Sequence, residues 1–574
     1  YPPNLARLDA LLGACISNGV YVATDLFVSR SVPWRSVGID RDGKIAMNTY
    51  KILVPVHEGA FQNLIHFSRQ LLTHVNPYTG RRYADEPALA WLALINEGNF
   101  GNFLREMREI PEWQQAWAAW LAERQKREPE AFKDLPTTLP DNIYAGNRHT
   151  AAFVLFLKEM EDRLMTRLKA FLRDEMGCRA LVTDRSSWTN FAPDQVPRSE
   201  LFDFVDDHFY VDHPHFIEQP WRLPSRCANA NPLKNDALGA QRVVFTRLLD
   251  KPFTITEYNY SGPGRFRGVG GIVTGAMGAL QDWGGLWRFA FSHNRDTLIR
   301  PEGASMGYFD MAGDPLSLAA ERASICLFLR GDLAPLKRTY AMVLPKDDVL
   351  RMRDRIPQNH TPWPWLAWYA RLGTLVAERA PDGTTWSGRY PEVYNTESAS
   401  IRTLLTSGAD TLPPAGDGAV EIDRATGQFT LKTPRTCGGF TEKGIINAGD
   451  LIVDVGDTAA TVWVSTLEGE SVQTSRRLLL THLTDVQNSG IRYAQQSRKV
   501  LLAWGGLPHL ARNGRADIRL AVKPADAFKV YALSTSGRRV AEVPARVVKG
   551  RLAFTAAVDA QPESATLLYE IVRE

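Results

Sequence analysis

Between residues 19 and 292 the chain alternates short apolar, β-rich runs with stretches of helical spacing, and this alternation restricts the fold more than any other feature. The runs are Gly19–Val28, Leu89–Ile95, Ala180–Thr183, Phe204–Tyr210, Pro252–Thr256 and Leu286–Ser292. Among the intervening segments, Arg148–Met176 repeats Phe153, Leu157, Met160, Leu164 and Leu168 at spacings of three and four, the pattern of an amphipathic helix. Strand–helix–strand alternation predicts an α/β fold with a parallel sheet and crossover helices. The expectation is a (β/α)8 TIM barrel with six strands visible, two short of closure. The shortage falls at the front. An open barrel exposes an unpaired edge, so an N-terminal segment of the same protein is expected to supply the first two strands. The start Tyr1-Pro2-Pro3, without methionine, fits a processed or incomplete beginning.

After about residue 335 the pattern changes. From Thr411 onward, short alternating runs such as Gln428–Lys432, Thr461–Ser465 and Phe528–Leu533 lie between Gly, Pro and Asp turns, which predicts one or two antiparallel β-sandwich modules. The expected division is a catalytic barrel at 1–335, a linker or bridging segment at 336–410, and sandwich domains at 411–574. Insertions near 101–147 and 217–245 are rich in Pro and Trp and read as loops crowding the active face.

Bulk properties mainly exclude. Sixty-seven Lys and Arg balance 64 Asp and Glu, giving a net charge of +3 without like-charge blocks, so neither nucleic acid nor an anionic membrane is an expected partner. Five scattered cysteines without CxxC spacing give neither a disulfide framework nor a zinc site. No apolar run is long enough to span a bilayer. The sequence lacks a GxSxG nucleophile motif, a P-loop and a dinucleotide fingerprint, and no cofactor is expected.

Two carboxylates stand where an apolar run ends. Leu-Ala-Leu-Ile leads into Asn96-Glu97-Gly, and Thr-Ile-Thr leads into Glu257-Tyr-Asn259-Tyr. In parallel β/α architectures that position opens onto the C-terminal face, where catalytic groups collect. A pair of carboxylates is what glycosidic cleavage needs: an acid for the leaving oxygen and a second group at the anomeric carbon. The plainer readings are a surface glutamate at a strand exit for Glu97 and an ion pair with Arg265 or Arg267 for Glu257. His208 and Tyr210, two residues apart on one strand, share a face and can both enter the same mouth. Asp206, Asp207, Asp212, His213 and His215 crowd around them, which keeps a metal site open as a rival, although the spacing matches no strong zinc pattern and structural hydrogen bonding at the strand end is the stronger plain reading. Trp283, Trp287 and His293 bracket the last run, where a Trp can floor a sugar site or pack in the core. Asp25 and Arg30 close the first run and either line the site or form a loop salt bridge.

The set of strand-terminal Asn96-Glu97, strand-terminal Glu257 and His208-x-Tyr210 between them resembles the clan A retaining glycoside hydrolases, with the closest likeness to bacterial cellulase-like, family-five proteins. His74-Val-Asn-Pro-Tyr-Thr-Gly80 adds to that likeness. The resemblance covers roughly residues 5–335. It implies a (β/α)8 barrel with Glu97 as general acid/base after strand four and Glu257 as nucleophile after strand seven. Asn96 would contact the sugar 2-hydroxyl, His208 and Tyr210 would form a strand-six pair, and Asn259, Trp287 and His293 would bind substrate. It further implies β-linked hexosides as substrate, no metal or organic cofactor, and a secreted or periplasmic location with a cytoplasmic one as the alternative. The long insertions favour a restricted pocket and exo-action, with an endo-acting glucanase or mannanase with an open cleft as the alternative. Glu97 is expected to be kept protonated by proximity to Glu257. A non-catalytic carbohydrate-binding barrel is the alternative from another class. Departures from the family pattern are Phe27 where many relatives carry histidine, no visible strand-two arginine, and no clean match for the strand-eight tryptophan.

Overall fold

The computed structural model describes residues 3–185, 191–234, 237–300, 304–346, 363–378, 414–469, 471–561 and 564–574. All six expected strands are present, in two parallel three-stranded sheets. The first sheet contains β1 (Val22–Asp25), β2 (Leu89–Ala93) and β3 (Leu181–Thr183), with β2 central. The second contains β4 (Val205–Val211), β5 (Phe253–Tyr260) and β6 (Gly285–Arg288), with β5 central. Asp203 joins the two sheets: its N–H donates to the Val182 carbonyl at 3.0 Å, and its carboxylate accepts from Val182 N–H at 2.8 Å.

Side-chain alternation in β4 shows how such a sheet makes a site. Val205, Phe209 and Val211 enter the hydrophobic core, while Asp206, His208 and Tyr210 take the opposite face. On the core side, the helix Gly270–Leu280 packs against Pro315–Ser324 so closely that a Cβ on Gly271 would lie 1.8 Å from the Ala320 carbonyl oxygen. Only glycine allows that approach. β1 and β6 each keep one edge without a strand partner among the described residues, so these residues do not form a closed eight-stranded barrel. Tyr21, beside the β1 edge, is 74% exposed.

Two expectations change in detail. The 101–147 insertion is largely helical, with Leu104–Arg108 and Pro111–Arg127. Trp113, Trp117 and Leu121 recur every four residues and are buried, and the Trp113 indole N–H donates to the Ile52 carbonyl at 2.8 Å. The stretch read as a linker supplies a parallel pair, Thr339–Pro345 with Arg371–Ala377, docked on the α/β half through Thr374 N–H to Arg247 O (2.7 Å). The Gln281 amide also reaches the Ala367 and Ala370 carbonyls at 2.6 and 2.7 Å. The rest of that stretch, 347–362 and 379–410, lies outside the described residues.

The C-terminal part is rich in antiparallel sheet. An eight-stranded sheet, running from Val420–Asp423 to Arg539–Val543, faces a five-stranded sheet that includes Leu451–Asp454, Arg515–Leu520 and Arg551–Ala557. Val453, Val462, Val464, Leu480, Ile518 and Ile571 share the core between the sheets. The strand Ala460–Thr466 is buried on both faces: Val462 and Val464 point into that core, while Trp463 joins the core of the α/β half. Arg322 crosses the joint, its guanidinium donating to Ser465 Oγ at 2.5 Å and Thr481 Oγ1 at 2.9 Å. No described helix is long and apolar enough to cross a membrane.

Candidate active site

Glu97 leaves the end of β2 in a left-handed conformation, φ 48°, which a β-carbon disfavours. The surroundings over-determine it. Asn96 N–H donates to Phe27 O at 2.8 Å, Gly98 N–H donates to Arg185 O at 3.3 Å, and the buried Arg185 guanidinium returns to the Gly98 carbonyl and to Glu161. The turn aims the Glu97 carboxylate at His208, whose Nδ1 lies 3.0 Å from Glu97 Oε1. The same nitrogen is 3.6 Å from Glu257 Oε2.

β5 delivers Glu257 through an irregular register with β4. His208 pairs with Glu257 while Asp207 pairs with Ile255, leaving Thr256 as an extra residue. Such a bulge turns two consecutive side chains toward one face, and both Thr256 and Glu257 meet the β4 side chains. Tyr210 Oη donates to Glu257 Oε2 at 2.6 Å. Thr256 donates to Asp206 Oδ2 at 2.7 Å, and its hydroxyl oxygen lies 2.9 Å from His208 Nε2. Because the Thr256 proton goes to Asp206, His208 Nε2 must be the donor to Thr256. The proton between His208 Nδ1 and Glu97 Oε1 is then the mobile one.

Electrostatics follow from this placement. Burial opposes a charge on His208, but Glu257, Glu97 and Asp206 outweigh it and raise the imidazolium to about 10. Burial raises Glu97, yet the hydrogen bond and charge of His208, with Lys51 behind it, hold the carboxyl below its ordinary value. This overturns the expectation that proximity to Glu257 keeps Glu97 protonated; the cation between them reverses the sign. Asp25, at the end of β1, rises to about 7 through burial and the charges of Asp206 and Glu257. Lys51, from the helix Met47–Leu53, is lowered by burial against the pull of Glu97, Glu257 and Asp25. Burial and Glu257 raise the Tyr210 phenol, keeping it protonated.

The two glutamates remain reachable, with side chains 27% and 19% exposed. One ligand atom each from Glu97, His208 and Glu257 lies within 4.8 Å of the others, a set that a metal ion can also use. Among the described residues it is the one such grouping. The acidic and histidine cluster around β4 does not converge: Asp207 accepts from His208 N–H at 2.7 Å, Asp212 accepts from Asn229 N–H at 2.6 Å, and His213 sits among aromatic rings.

The remaining sequence candidates divide. Asn96 is buried beside Glu97. Asn259 is committed to structure, its amide donating to the Phe289 and Phe309 carbonyls and accepting from Arg288 Nε at 3.0 Å. Trp287 packs edge-on to Trp91 at 4.9 Å, while Trp283 is buried against Phe253. His293 binds Asp310 and lies 5.0 Å from the Phe289 ring. Arg30 holds Tyr50 and Asn63. The plain reading of Glu257 does not apply, because Arg265 pairs with Glu442 and Arg267 with Asp314. Sequence reasoning missed Lys51 and Thr256. Lys51 carries no motif, and Thr256 becomes functional only through the bulge.

No protein-family model matches the chain, and no curated protein matches it. Among solved structures, it is similar to the endo-1,4-beta-mannanase from Rhizomucor miehei (12% identity, TM-score 0.33, 56% of this chain and 76% of that one). It is also similar to the endo-beta-1,4-mannanase from Thermotoga petrophila (9%, 0.26, 90% and 79%) and to an exo-beta-agarase (15%, 0.26, 43% and 32%).

Proposed function

We propose that this chain is a retaining β-glycoside hydrolase acting on β-linked hexosides. The observation that carries the reading is the convergence of Glu97 and Glu257, with carboxylate oxygens within 4.8 Å, around one histidine. Retaining enzymes hold their carboxyl groups about 5–5.5 Å apart, and inverting ones about 6.5–9.5 Å.

The roles follow from the contacts. Tyr210 occupies Glu257 Oε2, which leaves Oε1 to attack the anomeric carbon as the glycosidic C–O bond breaks. The departing oxygen takes the proton shared by Glu97 Oε1 and His208 Nδ1. A water then attacks the glycosyl ester and gives its proton back to Glu97, and the ester C–O bond breaks to free Glu257. His208 is thus the store from which Glu97 is charged in the empty site. Exo-action is part of the reading, supported by the aromatic loop Asp212–Asn229, which sets His213 5.1 Å from the Tyr210 ring and Trp221 6.4 Å from His213.

Glu257→Gln is expected to abolish turnover of aryl β-glycosides while circular dichroism and the unfolding midpoint stay native. NMR of the first-formed sugar should show retained β-configuration; an α-product would overturn the double displacement. The compact Glu97–His208–Glu257 trio supports a second reading, a metal site. Dialysis against a chelator separates the two: the hydrolase reading expects unchanged turnover, the metal reading its loss with rescue by a divalent cation.

A further inference from the structure

The loop after β4 is not held by the α/β half alone. Its strands His215–Phe216 and Ser225–Arg226 form an antiparallel four-stranded sheet with Val500–Ala503 and Arg492–Tyr493 of the C-terminal part. Cys227 N–H donates to the Lys499 carbonyl at 2.9 Å, and the Asn229 amide donates to the Ser497 carbonyl at 2.8 Å. A second pin lies nearby. Buried Asn488 accepts from Met306 N–H and donates to Met306 O, both at 3.0 Å, and donates to the Trp504 carbonyl at 3.1 Å. Both pinned segments carry rings that face Tyr210. Phe309 lies 5.5 Å from the Tyr210 ring and His213 lies 5.1 Å from it; Trp221 then stands 6.2 Å from Phe309 and 6.4 Å from His213. Trp221 is 65% exposed and has φ 62°. An indole kept in water on a disfavoured backbone loses stability twice over.

We propose that Trp221 and Phe309 form a wall that stacks on a second sugar ring, beyond the one whose bond is cleaved, and that the C-terminal part positions this wall through Asn488 and the Arg492–Ala503 hairpin. The inference rests on the glycosidase reading and adds a specificity determinant to it. Sugars present C–H faces that an aromatic wall covers well, whereas the carboxylate pair grips only the ring whose glycosidic bond is cleaved. Asn488 is a positioning residue, since it reaches the substrate only through Met306 and the segment that follows.

The test compares aryl β-glycosides bearing one and two sugar units of the hexose that the unaltered protein cleaves. For Asn488→Ala, KM on the two-unit substrate should rise about tenfold, the equivalent of roughly 1.4 kcal/mol, with kcat changing less than about twofold. Asn488→Asp, which keeps the acceptor for Met306 N–H, should recover part of the loss. Trp221→Ala should raise the same KM, and the double variant should be no worse than the worse single one, because both act through one wall. A shift in unfolding midpoint without a KM change, or an equal loss on both substrates, would overturn the proposal. Should Asn488→Ala fail to fold, Trp221→Ala decides alone, since its ring is exposed. If the unaltered protein cleaves the one-unit glycoside and gains nothing from the second unit, the wall is wrong and the hydrolase reading stands. If it cleaves no glycoside, both are wrong.

Discussion

At the scale of the residue, His208 sets the behaviour of the site. Its side chain is 1% exposed, yet it carries its charge because two carboxylates lie within 3.6 Å of Nδ1. A histidine whose folded value is raised contributes stability that is complete below its unfolded value, about 6.5, and is lost as pH climbs through the folded one. With the folded value near 10, the window is roughly pH 6.5 to 10. The unfolding midpoint of the native protein should therefore exceed that of His208→Asn most at pH 6, with the gap narrowing toward pH 10.5. A gap that widens with pH would contradict the charged assignment. The alkaline limb of kcat/KM should likewise lie near 10 and move down by more than one unit in His208→Asn. Glu97 and Glu257 were legible in the sequence because each ends an apolar run. The charge on Glu97 was not, since its sign depends on a histidine 111 residues away in the chain reaching within 3.0 Å.

At the scale of the element, the irregular pairing of β4 with β5 is the device that builds the site. Thr256 links Asp206 to His208 only because the bulge admits it to that face. Thr256→Val keeps the shape and removes both bonds, leaving a buried carboxylate and ring N–H each short of a partner. The expected cost is about 1–3 kcal/mol in urea unfolding, together with a fall in kcat from a misdirected His208. An unchanged midpoint would mean that water replaces the hydroxyl. Between helices, Gly271→Ala puts a Cβ where the Ala320 carbonyl stands, and overpacking of about 1–3 kcal/mol is expected in the same assay. All six strands could be read from their apolar runs. The helices of the 101–147 insertion could not, because Pro and Trp content suggested loops while the four-residue spacing of Trp113, Trp117 and Leu121 was the better signal. Register slips such as the one at Thr256 leave no mark in a single sequence, since they depend on the neighbouring strand.

At the scale of the whole molecule, one continuous core includes Leu92 and Ile255 of the α/β half and Phe429, Phe440, Trp463 and Leu483 of the C-terminal part. The two parts should therefore unfold together, as a single calorimetric transition with matching calorimetric and van't Hoff enthalpies. Two resolved transitions would show that the joint is weaker than its burial implies. The β1 edge has no strand partner among the described residues, and with Tyr21 in solvent it should drive concentration-dependent self-association of this chain in sedimentation, relieved by Tyr21→Lys. The sequence itself shows a change of pattern past residue 335, with alternating spacing from Thr411 onward. The seam was hidden, because a strand such as Ala460–Thr466 reads as an ordinary half-buried strand until its second partner is known.

That strand has a consequence for how the protein is made. Trp463 turns its ring away from the sandwich core toward a surface built by residues translated earlier. When ribosomal synthesis reaches the sandwich, the α/β half has already emerged and domains fold in the order they appear. The apolar flank of the late domain thus meets a partner surface already synthesised and spends less time bare in water. Expressed alone, the sandwich would have no such surface, and the flank holding Trp463, Phe429 and Phe440 would be a sticky face in search of a lid.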